Sequence, residues 1–183
     1  MNMLSRRHAD TRRLFELACR VRNELVDTYA LVLPEINMEP GETGAGADFE
    51  FCEDEVAVVG LPLRTDALVV TGAPHIVQPL AGLAVADDGV LASGWQRLWL
   101  APDPGLLARQ DCLVQDYWSF VASTLRIAML RLGPRHVTVE TVRKLVAYLA
   151  QKTPEVAKEL ERVVPVTRIA EVLRLLMRER VPI

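Results

Sequence analysis

The residue types that most often perform chemistry are sparse and far apart in this 183-residue sequence. His8, His75 and His136 lie more than sixty residues from one another, and none has a second ligand type at metal-binding spacing. The motifs GxSxG, HExxH and SxxK, which place nucleophiles or metal ligands on defined turns and helices, do not occur. The sequence therefore predicts no catalytic site, no metal and no cofactor, and an enzyme of unrecognised type is the alternative.

Two clusters could bind a charged ligand, and neither has the full pattern that such binding requires. The glycines of residues 40–46 could surround a phosphate, but no Lys-Ser or Lys-Thr follows them and the next charged side chains are acidic. Glu53, Asp54 and Glu55 could attract a cation, but adjacent carboxylates on a turn lack the alternating ligands and the glycine of a calcium loop. We interpret the first cluster as a loop and the second as a solvated turn.

Two tryptophans are candidates for a protein–protein contact. Trp95 and Trp99 are four residues apart in a segment with strand-like alternation, which predicts that they share a face of the strand. Side chains of this size pack in a core more often than they bind a partner, and both interpretations remain open.

Three arginines of the last predicted helix are the basic candidates for such a contact. They are Arg168, Arg174 and Arg178. We assign them to the outer face of the helix because its inner face is predicted from four apolar residues, Ile169, Val172, Leu173 and Leu176.

The overall charge is small but unevenly distributed. Half of the residues are apolar, which supports a packed core. The net charge is −3, which gives no global reason to expect nucleic-acid binding. Residues 31–130 carry fourteen acidic and four basic side chains, net −10, whereas residues 131–183 carry eleven basic and six acidic ones, net +5. This separation suggests two different surfaces, although solvated faces of basic helices would give the same pattern. Three cysteines without a CxxC pair indicate a reducing compartment.

Periodicity places these side chains on helices at both ends of the chain and on strands between them. Apolar residues at three- and four-residue steps predict a helix over residues 10–29, followed by a short edge strand at 31–36. Residues 49–58 and 67–100 contain short apolar runs broken by Gly and Pro, which predict strands and turns. The uncharged run at 67–86 is therefore not predicted to span a membrane, and we expect a soluble chain.

The second half of the sequence changes to helical periodicity after a breaker at residues 102–105. Helices are predicted from there to the end, and the first of them ends at Gly133-Pro134. The sequence thus predicts an α+β fold: a small mixed α/β, ferredoxin-like subdomain over residues 1–100, and an all-helical subdomain over 101–183 without a strand beyond residue 110. Trp118 and Leu125 lie two turns apart on one stripe, and both are predicted to be largely buried.

Four stretches of the chain resemble the cytoplasmic region of the FHIPEP family, the export-gate proteins of type III secretion and flagellar export. Residues 14–36 resemble the family's helix followed by a VLP-type segment, and 94–100 resemble its GLPAxW strand. Residues 116–125 resemble its DPxxVIATHL segment, with Thr124 in the place of the histidine. Residues 154–183 end in VLRLLMRERVPI, which is similar to the family's VLQNLLREGVPI.

This resemblance implies a non-enzymatic interaction scaffold in the cytoplasm. In the family, this region docks chaperone–substrate complexes and assembles into a nonameric ring below a membrane-spanning half, which this sequence does not contain. The expected partners are secretion chaperones, export substrates, other export-apparatus subunits and, when tethered, further copies of the chain. Arg168, Arg174, Arg178, Trp95 and Trp99 are the predicted contact residues. The alternatives are a stand-alone adaptor of the same fold outside secretion and a nucleic-acid-binding module that uses the basic helical half.

Overall fold

The computed structural model describes residues 1–5, 10–29, 33–179 and 181. These residues form two four-stranded sheets and a set of helices, which confirms the predicted α+β class. In chain order the elements are β1 Asn2–Ser5, α1 Thr11–Tyr29, β2 Asn37–Pro40, β3 Phe49–Glu53, β4 Val56–Leu61, β5 Leu68–Gly72, α2 Pro74–Val77, a 3₁₀ helix Gln78–Leu83, β6 Ala84–Val90, β7 Gln96–Leu100, α3 Pro104–Leu107, β8 Leu113–Asp116, α4 Tyr117–His136, α5 Val139–Lys152, α6 Pro154–Val163 and α7 Val166–Arg178. No helix in the described ranges has both the length and the apolar composition that crossing a bilayer requires.

The chain divides into two compact units. One consists of residues 1–61 and 125–183, and the other of residues 62–124. This division differs from the predicted boundary at residues 100/101, because the first and last parts of the chain pack in the same unit. Periodicity identifies the type of each element but carries no information about which distant elements it will contact.

The first unit contains a sheet with the strand order β2-β1-β3-β4. Strand β1 is parallel to β2 and antiparallel to β3, and β3 and β4 form a hairpin. Helix α1 connects the two parallel strands, as a crossover connection requires. It buries the side chains at four positions of its predicted apolar stripe, Leu14, Ala18, Val21 and Leu25, which confirms the helix predicted at 10–29.

The prediction of an edge strand at residues 31–36 is wrong for the residues of this segment that the structure describes. Residues 33–36 form no strand, and residues 31 and 32 lie outside the described residues. Arg22 of α1 explains the difference, because its guanidinium donates hydrogen bonds to the carbonyl oxygens of Leu33 at 2.7 Å and Pro34 at 2.8 Å. A side chain therefore satisfies the backbone acceptors that a neighbouring strand would otherwise satisfy.

The second unit contains a sheet with the order β6-β7-β5-β8, in which every neighbouring pair is antiparallel. Its elements follow the chain order β5-α2-β6-β7-α3-β8, which is the split βαβ arrangement of ferredoxin-like folds. The ferredoxin-like prediction thus holds for residues 68–116, in which the two connecting α-helices have four residues each. The sheet core on one face consists of Leu68, Val70, Val77, Leu98, Leu100 and Leu106.

The predicted absence of strands beyond residue 110 is wrong. Strand β8 pairs antiparallel with β5, with Val114 opposite Val70 and Asp116 opposite Leu68. The strand has four residues and leads directly into α4, so its apolar residues also fit the start of the helical stripe. A period of two cannot be separated from a period of 3.6 over so few positions.

Helices α4 to α7 account for most of the remaining chain. The predicted stop of α4 at Gly133-Pro134 is two residues early, since the helix continues to His136. Proline removes only one helical N–H, and Thr141 Oγ1 donates to the carbonyl oxygen of His136 at 3.1 Å beyond the end of the helix. Leu125 is fully buried, as predicted, and Trp118 is partly exposed, while the neighbouring Tyr117 is buried.

Candidate interaction surface

The histidines do not combine with other side chains into a metal site. No group of three His, Cys, Asp or Glu side chains that could hold a metal ion occurs among the described residues. His8 lies outside the described residues, and His75 belongs to the short helix α2. Of the two histidines that the structure describes, His136 at the end of α4 lies beside an acidic side chain.

The acidic side chain beside His136 is Glu53. The sequence placed Glu53 in a solvated turn, and for this residue the prediction is wrong. Glu53 is buried, with Oε1 at 2.6 Å from Nε2 of His136 and Oε2 at 3.4 Å from Nη1 of Arg135. The contact with His136 has ion-pair distance, but Nε2 is not aligned as a hydrogen-bond donor. These contacts connect the β3–β4 hairpin to the end of α4. Asp54 and Glu55 form the exposed turn.

Trp99 is a core residue, not a contact residue. Its side chain has no exposed surface, its Nε1 donates to Oδ2 of Asp88 at 2.9 Å, and its ring meets Phe120 edge to face at 5.3 Å. Tyr117 and the guanidinium of Arg64 also lie against the ring. Trp99 faces the start of α4, on the opposite side of the sheet from its neighbours Leu98 and Leu100.

Trp95 remains a candidate contact residue because about half of its side chain is exposed. It precedes β7 and closes the turn from β6, where its carbonyl oxygen accepts a hydrogen bond from the N–H of Leu91 at 2.6 Å. Gly94, with φ of 81°, provides the left-handed backbone that the turn requires. The predicted face shared with Trp99 does not form, because the alternation of the strand begins only at Gln96.

The three arginines of α7 have three different environments. Arg168 is exposed and pairs with Glu171 of the same helix, Nη1 to Oε2, at 2.7 Å. Arg174 is half-buried, and its Nε donates to the carbonyl oxygen of Val137 at 2.8 Å. Arg178 is exposed at the end of the helix. At 3.6 residues per turn, Arg174 and Arg178 share one side of the helix and Arg168 lies about a third of a turn away, so the three do not form one patch.

The inner face of α7 also differs from the prediction at one position. Val172 is exposed, with 46% of its surface accessible, while Ala170 and Met177 are buried. The buried side of α7 therefore includes Ala170 and does not include Val172.

Arg178 lines a cleft that the sequence did not reveal. The cleft has a volume of about 250 Å³ and is lined by Leu130, Arg131, Pro134, Met177 and Arg178. The contributions come from α4 and α7, which are separated in sequence by α5 and α6, and no periodicity relates them. Only the packed structure brings the two arginines to one opening.

A second concave surface is almost entirely apolar and belongs to helix α6. It is a shallow groove of about 530 Å³, lined by Glu155, Val156, Glu159, Leu160, Val163 and Val164. Val156 and Val163 are each more than half exposed. The i, i+4, i+7 spacing of Val156, Leu160 and Val163 is an apolar helical stripe that sequence analysis could have identified.

Comparison with known proteins identifies relatives along the whole chain. The FHIPEP family model matches residues 2–183. The harpin secretion protein HrpI of Erwinia amylovora is 26% identical over 170 residues, which are 90% of this chain and 23% of HrpI. Among solved structures, the C-terminal domain of InvA has a TM-score of 0.71 at 22% identity and covers 99% of this chain and 56% of its own. The nonameric SctV-C of EPEC has a TM-score of 0.67 at 19% identity, with coverage of 98% and 53%.

These matches have two consequences. The solved structures share the fold of this chain, which places the two sheets and the helices described above in a known architecture. The chain spans about a quarter of the length of HrpI and just over half of the length of the InvA and SctV-C chains.

Proposed function

Because the chain belongs to the FHIPEP family, we propose that it is a cytoplasmic export-gate domain that acts as an interaction scaffold and not as an enzyme. The single observation that carries this proposal is the family match over residues 2–183, which includes both compact units. The uneven charge supports it, since an acidic middle and a basic C-terminal part suit contacts between unlike surfaces.

The docked partners in this proposal are secretion chaperones carrying their export substrates, and other subunits of the export apparatus. Trp95 and Arg168 are the contact candidates, because both side chains are exposed. Arg174 and Trp99 are assigned to the fold, since they bond to Val137 and Asp88 of the same chain. Arg178 is assigned to the cleft.

We further propose that copies of the chain assemble head to tail, as a ring requires. The nonameric state of SctV-C, which has the same fold, supports this proposal. The acidic segment 31–130 of one copy would meet the basic segment 131–183 of the next.

Binding of chaperones from the same secretion system tests the docking proposal. Purified chain is immobilised, and each chaperone is applied with and without its bound substrate while binding is followed by interferometry. We expect the loaded chaperone to bind, and Trp95→Ala to weaken this binding without changing the circular dichroism spectrum. If a correctly folded chain binds neither form of any cognate chaperone, the docking proposal is wrong.

A further inference from the structure

The cleft between α4 and α7 combines an apolar floor with a basic rim. Its floor is apolar: Met177 is 4% exposed, and Leu130 and Pro134 are half-buried. Its rim carries two exposed guanidinium groups, those of Arg131 and Arg178. The cleft belongs to one compact unit, since all five lining residues lie within residues 125–183.

Several basic residues of the helices pair with acidic side chains, whereas, among the described residues, the two rim arginines do not. Arg162 pairs with Glu159 at 2.6 Å, Arg168 with Glu171 at 2.7 Å and Lys144 with Glu140 at 3.0 Å. Within the part of the chain that the structure describes, neither Arg131 nor Arg178 has an ion pair or a hydrogen bond. Their donors are therefore available to an external acceptor.

The size of the cleft restricts what can occupy it. Its volume of about 250 Å³ lies below the roughly 300–1,000 Å³ of pockets that enclose whole small molecules. One or two side chains of a larger partner fit this space better than a cofactor does. Methionine, which forms the floor, adapts its three rotatable bonds to apolar groups of different shape.

The rim determines the charge of the occupant. A guanidinium presents a planar fork of N–H donors that matches a carboxylate, and such charge-assisted bonds are stronger than neutral ones. An extended nucleic-acid backbone would require a longer basic stripe, but Glu171 lies in the same helix and Glu179 directly follows it. Carboxylates on a short peptide satisfy both the spacing and the charge.

We propose that this cleft binds an acidic peptide segment of another protein, with an apolar side chain on the floor and carboxylates on Arg131 and Arg178. The site is distinct from Trp95 and Arg168, and its occupation does not depend on ring assembly or on chaperone docking. The guanidinium groups provide the attraction and orientation, and the apolar anchor provides the buried contact.

Fluorescence anisotropy on the full chain tests the proposal with three short labelled peptides. The first contains glutamates on both sides of a leucine and a phenylalanine. The second replaces the glutamates by glutamines, and the third replaces the two apolar residues by serines. We expect the first peptide to bind on the order of tenfold more tightly than either of the others at low salt, and the difference from the glutamine peptide to shrink as salt is added.

Two charge-neutralising variants and a matched control locate the binding. Arg131→Gln and Arg178→Gln each remove one rim charge, whereas Arg143→Gln removes a charge from α5 that is also exposed but lies outside the cleft. We expect the first two variants to weaken binding of the acidic peptide severalfold and the control to change it less than twofold. Circular dichroism and the unfolding midpoint confirm that all three variants fold.

Four results would overturn the proposal. These are no binding of the acidic peptide at millimolar concentration, equal binding of the glutamine or serine peptide, and equal loss of binding in Arg143→Gln. The fourth is self-association of the chain, seen by light scattering, that Arg131→Gln and Arg178→Gln abolish, because the occupant would then be a second copy of the chain.

Discussion

At the residue scale, the β3–β4 turn is the clearest site of backbone strain. Glu53 pairs with Val56, so Asp54 and Glu55 form a two-residue hairpin loop, with φ of 48° and 65°. Both residues are in the left-handed region, which costs a non-glycine residue roughly 1–2 kcal/mol. Type I′ turns of this kind usually contain asparagine and glycine.

Glu55→Gly is therefore expected to stabilise the protein by about 1 kcal/mol, because glycine adopts the required φ without strain. The measurement is the free energy of unfolding in urea. Glu55→Ala is the matched control, since it removes the same charge but keeps a Cβ atom in the left-handed region. Equal stabilisation by both variants would mean that charge and not backbone strain is responsible.

Asp116 begins α4 and provides a second prediction. Its Oδ1 accepts hydrogen bonds from the N–H groups of Trp118 at 3.0 Å and Ser119 at 3.1 Å, and its Oδ2 accepts from Ser119 Oγ at 2.5 Å. Burial raises the pKa of this carboxyl group, but the hydrogen bonds from Ser119 and Trp118 outweigh burial, and the net pKa is lowered. The ionised carboxylate thus caps the helix.

Asp116→Ala should destabilise the protein by roughly 0.5–2 kcal/mol at neutral pH, as loss of an N-cap does. Because the folded-state pKa is lowered, the contribution is complete above the unfolded pKa of about 3.9 and is lost as the pH falls through the folded value. Urea unfolding of wild type and variant at pH 7 and pH 3 should show a smaller difference at the lower pH. Asp116→Asn keeps a capping oxygen without a charge, so its stability relative to Asp116→Ala should not depend on pH over this range.

At the scale of elements, helix α4 has buried and exposed apolar residues on different faces. Leu125 has no exposed surface, whereas Ile127, two residues further on, is 45% exposed. Burial extends to more than one side of the helix, since Phe120, Val121, Leu125 and Met129 are all buried. Which of the remaining apolar positions face solvent depends on elements far away in sequence.

Leu125→Ala should lower the free energy of unfolding by about 2–5 kcal/mol, since it removes buried methyl groups and leaves a cavity. Ile127→Ala on the same helix is the control, and its effect should be clearly smaller because its side chain already contacts water. Chemical denaturation of both variants provides the comparison. A loss below 1 kcal/mol for Leu125→Ala would contradict the burial of this side chain.

At the scale of the whole molecule, assembly through oppositely charged surfaces should be weak. Individual exposed ion pairs contribute only about 0–1 kcal/mol, and charges at the rim of an interface mainly affect orientation and association rate. The isolated chain is therefore expected to be monomeric at micromolar concentration and to associate when concentrated, less so at high salt. Light scattering across a series of protein and salt concentrations measures this.

A pair of variants makes the assembly prediction specific. Arg168→Gln should reduce association at high protein concentration. Arg12→Gln should not, although Arg12 is also exposed and also pairs with a glutamate of its own helix, Glu16. A tight twofold dimer that is insensitive to salt would contradict head-to-tail assembly.

Sequence periodicity was sufficient to predict the elements whose apolar period extends over several turns, and sequence motifs were sufficient to identify the family. Helix α1 and the helices after residue 116 follow from apolar residues repeated over several turns, and the motifs at 14–36 and 154–183 identify FHIPEP relatives without reference to coordinates. The failures at β8 and at residues 33–36 concern segments of four residues, where one arginine or one neighbouring strand decides the structure.

Which side chains remain available to a partner depends on tertiary packing. A helical or strand period predicts which face of its own element a residue occupies. Whether that face is exposed depends on elements that are distant in sequence. Trp99 is covered by the start of α4 and Arg174 is bonded to Val137, whereas Trp95 remains exposed. Arg131 and Arg178 meet at one cleft because α4 and α7 pack in the same unit, and no local pattern encodes that contact.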